Sequence, residues 1–120
     1  MKIATTILFF LSINLCFAQE TFVRKYTTYV TKTDGKISEW KEIDLTVVFN
    51  EKHTNNVVLY YPAKAKTLYK IGNIEKDKTV NGSEYQVIEC IDEEGVKVTL
   101  QLFSDVMRLF VGSGYIEFHE

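Results

Sequence analysis

The plainest signal along the chain is alternation of apolar and polar positions with a period of two. Ile43, Leu45, Val47 and Phe49 take every second place against Asp44 and Thr46, and Val96, Val98, Leu100 and Leu102 do so against Lys97, Thr99 and Gln101. Successive side chains of a β-strand point to opposite faces, so each run predicts a strand with one buried face. A helix over 96–102 would spread its apolar residues around most of a cylinder and set β-branched side chains where they fit poorly.

Turn formers separate the runs. Residues 21–32, rich in Thr, Tyr and Val, lead into Asp34-Gly35, and 37–50 follows as a long second strand carrying Trp40. That arrangement predicts a hairpin closed by a positive-φ turn. Residues 51–55 are a polar connection to a strand over 57–61, which Pro62 ends because proline cannot donate to a ladder. A short strand covers 67–71. The stretch 73–83, with its charge alternation and Asn81-Gly82, reads as a long hairpin tip or two short strand extensions. Strands over 85–91 and 96–103 flank the Asp92-Glu93-Glu94-Gly95 loop, and 106–111 and 115–119 flank Gly112-Ser113-Gly114.

Together these make about eight strands at the roughly 8–12-residue spacing of an all-β domain. Short connections favour sequential antiparallel neighbours, and a meander of this size hides its edges by curling. The expected architecture is therefore a small up-and-down barrel or strongly curved half-barrel, with a β-sandwich as the alternative. Its core is expected from Ile43, Leu45, Val47, Phe49, Leu59, Val87, Ile91, Val98, Leu100, Leu102, Leu109 and Phe118.

Residues 1–18 stand outside this pattern. Lys2, an apolar core over 3–17 and the small-x-small site Cys16-Phe17-Ala18 read as a cleaved secretory signal peptide. A single all-β domain, 19–120, is then the exported product, periplasmic or extracellular. Loss of Lys2 changes the 14 bases and 16 acids to 13 and 16, and the net charge from −2 to −3. Outside the leader no apolar run approaches the ~20 residues that span a bilayer. A mildly acidic chain without a polybasic block argues against nucleic acid. Only Cys90 remains after the leader, so neither an internal disulfide nor a cysteine-based zinc site is expected. Flanking isoleucines predict a buried, inert thiol.

Candidate chemistry is sparse. His53 lies among turn formers with no Ser or Cys beside it in sequence, and reads as a solvated loop histidine. Glu117 and His119 fall on one strand face, but two ligands do not make a metal site, and a solvent-facing polar stripe accounts for them. Asp92-Glu93-Glu94 lacks a calcium-loop pattern and reads as a hydrated hairpin tip. Lys64, Lys66 and Lys70 read as a charged edge that discourages sheet-to-sheet pairing. No catalytic residue, metal ligand or cofactor is expected.

The aromatic residues carry more. Seven tyrosines and one tryptophan are present, and these rings bury area while keeping a polar tip wet. Tyr60 and Tyr61 must point to opposite faces. Parity from Ile43 puts Trp40 on the outer face, unless a bulge near Lys41-Glu42 returns it to the core. In outline such a domain resembles lipocalin-like barrels, but their first-strand glycine-x-tryptophan is absent, since Gly35 and Trp40 are five residues apart. The residues assign no family.

The functional expectation is a binding or interaction module that uses an aromatic surface or barrel mouth, with Trp40, Tyr60 and Tyr61 as its ligand-binding residues. Its partner would be a small apolar ligand, a glycan or a protein. A structural envelope-associated domain without a small-molecule ligand is the alternative, and a hydrolytic enzyme around His53 or His119 is a third reading.

Overall fold

A computed structural model describes residues 20–72 and 74–120, and for Asp77 the backbone alone. The expected leader, residues 1–18, lies outside the described residues. Ten strands follow one another: β1 (Phe22–Thr33), β2 (Lys36–Ile37), β3 (Lys41–Phe49), β4 (Asn56–Tyr60), β5 (Ala65–Lys70), β6 (Glu75–Val80), β7 (Ser83–Ile91), β8 (Lys97–Leu102), β9 (Val106–Val111) and β10 (Gly114–His119). A 3-10 turn, Glu51–His53, is the one helical element among the described residues.

Every pairing is antiparallel, and β10 returns to pair with β1 from Thr28↔His119 to Thr33↔Gly114. The meander thus closes into a ring, in keeping with the expected small barrel or half-barrel. Ten strands appear where eight were expected because two long strands are broken. Strand β2 lies on the edge of β1 that β3 continues, and β6 lies on the edge of β7 that β5 continues. The ring is uneven, since β5 and β7 share only Tyr69↔Ile91 and Lys70↔Cys90.

The first break has a local cause. At 2.9 Å each, the Ser38 hydroxyl accepts the Thr31 N–H and the Ser38 N–H donates to the Thr31 carbonyl. A side chain thereby replaces one ladder bond, and the strand bends before Trp40. The flanking turns are the expected tight ones: Asp34 and Gly35 have φ of 51° and 79°, Asn81 and Gly82 of 49° and 83°. Paired positive φ values match the twist of a two-residue hairpin.

Inside the ring, Tyr26, Leu45, Val47, Phe49, Val57, Leu59, Leu68, Ile88, Cys90, Val98, Leu100, Leu102, Met107, Leu109 and Phe118 form one buried cluster. The interior is filled with side chains. A register shift between Tyr26 and Thr28 lets both Tyr26 and Tyr29 point inward, where their rings lie 6.0 and 6.1 Å from that of Phe118. At one mouth Arg24 reaches across to donate to the Phe103 carbonyl at 2.5 Å.

Two core expectations, and the readings of Val96 and Asp92, are corrected. Val87 and Ile91 are only half-buried, and the inward residues of β7 are Ile88 and Cys90, which face Leu100 and Val98. Both faces of β7 carry apolar residues, so periodicity alone could not choose. The charge on Glu89, between Val87 and Ile91, marks the outer face. Val96 lies before β8 and is exposed, because its N–H is drawn into the loop by Asp92. Asp92 itself is no hydrated tip: it is buried, accepts the Glu94 and Val96 N–H groups at 2.9 and 2.8 Å, and pairs with Lys66 at 3.6 Å. These backbone hydrogen bonds, that of Val96 foremost, hold its carboxyl below the usual range.

Candidate functional site

The seam between β1 and β10 gathers charged and aromatic side chains on the outer wall of the ring. Two-residue alternation turns Tyr115, Glu117 and His119 outward along β10, while Phe118 goes to the core. The β9–β10 hairpin register sets Arg108 directly opposite Glu117. The Arg108 Nε donates to Glu117 Oε2 at 2.7 Å, and His119 Nε2 lies 2.9 Å from Glu117 Oε1. Both carboxylate oxygens are therefore engaged. Burial alone would raise the Glu117 pKa, but its hydrogen bonds with His119 and Arg108, and their charges, outweigh that and hold it below the ordinary glutamate value.

Rings fix these polar groups from the sides. The Arg108 guanidinium lies 5.0 Å from the Phe103 ring centre and 5.5 Å from that of Tyr115, within cation–π range of both. Tyr85 stacks behind Phe103 at 4.9 Å, and Phe110 packs against Tyr115 at 4.6 Å. Trp40 meets His119 edge-on at 4.7 Å and remains 58% exposed.

Two adjoining clefts result, with Glu117 in the wall of both. The larger, about 520 Å³, runs between the β6–β7 hairpin tip (Val80, Asn81, Ser83, Glu84) and the face formed by Val106, Arg108, Glu117 and His119, over Phe103, Ser104 and Asp105. The smaller, about 270 Å³, is walled by Val30, Ile37, Trp40 and Tyr115, with Lys32 and Glu117 at its rim. Val30 faces outward yet is buried, flooring the smaller cleft.

Of the residues expected to bind ligand, the structure brings only Trp40 to this place. Tyr60 lies opposite Thr46, six residues along the same strand run from Trp40, or about 20 Å at ~3.3 Å per residue. Its hydroxyl donates to the Glu51 carboxylate. Tyr61 packs against the core with the Lys64 ammonium 5.4 Å from its ring centre. A single patch uniting Trp40, Tyr60 and Tyr61 is therefore not formed, because the length of β3 separates them. The same length separates His53, on the turn after β3, from His119. Of the three lysines expected along a charged edge, Lys66 pairs with Asp92 and Lys70 donates to Asn50 Oδ1. Among the described residues no three His, Cys, Asp or Glu side chains gather as metal ligands.

Arg108, Phe103 and Tyr85 escaped the sequence reading. A usable signal existed: Gly112-Ser113 closes a hairpin in which 111 faces 114, which places the lone charge of an apolar strand, Arg108, against Glu117. Phe103 and Tyr85 carried no such signal, since their stacking depends on how the β6–β7 tip lies over the β8–β9 turn. No protein-family model matches the chain, and neither the curated proteins nor the solved structures contain a significant match.

Proposed function

We propose that the protein is an exported binding module that recognises its partner on the outer wall of the barrel, along the groove between Trp40 and Phe103. The observation that carries this reading is an exposed indole beside polar groups already locked in place: Arg108, Glu117 and His119 hold one another within 2.9 Å and are packed between rings. Side chains fixed before a ligand arrives lose little entropy on binding it. Exposed Trp and Tyr beside an ordered Arg is also the composition of binding hot spots.

Recognition is favoured over catalysis. The His119 Nε2 is engaged by Glu117, and no hydroxyl or thiol is hydrogen-bonded to that imidazole among the described residues. A nucleophile and base in mutual contact are the minimum for covalent catalysis. The filled interior favours the outer wall over an internal ligand.

Trp40 is the one tryptophan of the chain, so its emission reports on the groove directly. Titration with a panel of soluble oligosaccharides and short peptides is expected to yield probes that shift the emission and that Trp40→Ala and Arg108→Ala bind more weakly. If no probe shifts Trp40, or if every binding probe is indifferent to both substitutions, the reading fails and a structural role for the barrel replaces it. Export is tested separately, by the intact mass of protein recovered from its native host: removal of residues 1–18 is expected, and retention of Met1 or a lipid on Cys16 refutes it.

A further inference from the structure

We infer that the occupant of the groove is a basic peptide segment, with an apolar side chain in the Trp40 cleft and a Lys or Arg side chain in the larger trough. This rests on the groove reading above and adds the chemistry of the ligand. The two compartments differ in character. The smaller one is walled by Val30, Ile37, Trp40 and Tyr115, and suits an apolar group. The larger is bordered by three carboxylates, Glu84, Asp105 and Glu117, against one Lys or Arg side chain, Arg108.

That one cation is already neutralised. Arg108 pairs with Glu117 at 2.7 Å and lies against two rings, leaving Glu84 and Asp105 exposed and without a Lys or Arg partner among the described residues. A ligand filling the trough therefore meets two carboxylates that no Lys or Arg pairs among the described residues, and a cation is the complementary group. The span identifies a peptide as its carrier. From β1 across β10 to β9 is two interstrand spacings, roughly 10 Å, which is about three residues of extended chain. A peptide sets an apolar and a basic side chain at that separation; an amino-sugar chain supplies the cation without a comparable apolar branch.

The test uses the isolated protein and three probes: acetyl-Leu-Gly-Lys-Lys-amide, acetyl-Leu-Gly-Glu-Glu-amide and a glucosamine tetramer. Trp40 emission and isothermal calorimetry give the affinities. The lysine peptide is expected to bind, and its affinity to fall about tenfold or more in Glu84→Gln/Asp105→Asn and in high salt. Both substituted residues are exposed, so the variant keeps the fold, which circular dichroism checks. Equal binding of the glutamate peptide, binding of the glucosamine tetramer alone, or insensitivity to the double substitution overturns the basic-peptide inference while the groove stands. Silence of Trp40 with all three probes overturns the inference too; the groove reading falls with it only when the wider panel of oligosaccharides and peptides is also silent.

Discussion

Replacing Ile88 and, separately, Val87 by alanine measures which face of β7 belongs to the core. Ile88 is 3% exposed and faces Leu100 across the β7–β8 ladder, whereas Val87 is half-buried on the outer wall opposite Gln101. Ile88→Ala removes three buried carbons. At ~0.8 kcal/mol each the transfer term is about 2.4 kcal/mol, and the cavity left in a filled barrel brings the loss to roughly 3–4 kcal/mol. Val87→Ala removes two carbons that keep much of their contact with water, so about 0.5–1 kcal/mol is expected. The assay is urea unfolding followed by far-UV circular dichroism, with the slope required to match the parent so that the midpoint reports stability alone. The inward assignment of Ile88 is refuted if the two losses come within about 1 kcal/mol of each other or reverse. A reversal would mean that β7 is shifted by one residue against β8, turning Cys90 outward as well.

Cys90 is fully buried, and burial pushes its thiol up to about 12, so a maleimide should label it slowly in the folded protein and at once in denaturant; fast labelling of the folded form, or a covalent dimer on a non-reducing gel, contradicts the fold. Glu117 has a folded pKa below its unfolded one, so its ionisation contributes stability above the unfolded value and that contribution disappears as pH falls through the folded value. Glu117→Gln is accordingly expected to lower the urea midpoint at pH 7 and to narrow its difference from the parent as the pH is taken down toward 3; a constant difference across that range rules out the linkage. Leu100→Ala should cost roughly 2–5 kcal/mol, since the side chain has no exposed surface, while Gln101→Ala on the outer face should cost little. A small loss for Leu100→Ala would place β8 in the wrong orientation.

By itself the sequence determined that the described domain is an antiparallel meander of strands joined by tight turns. Period-two alternation over 43–49 and 98–102 can satisfy only strands, and Asp34-Gly35 and Asn81-Gly82 can adopt the paired positive φ that tight hairpins need. These are local properties, written in a few adjacent residues. It also put Glu117 and His119 on one face of the last strand, while parity from Ile43 left Trp40 outward or, through a bulge, in the core; the structure leaves Trp40 58% exposed. Tertiary structure decided the rest. Whether Val87 or Ile88 faces inward depends on the partner strand, because β7 is apolar on both faces and only its register against Leu100 and Val98 breaks the tie. Asp92 looked like one of three solvated acids until the loop folded its N–H groups onto it. The groove is likewise non-local: it joins Trp40 near the start of the chain, Arg108 and His119 at the end, and Glu84 from a hairpin tip between them. Strand closure from β1 to β10 brings these together, and closure is set by the twist and stagger of the whole ring, which no window of neighbouring residues encodes.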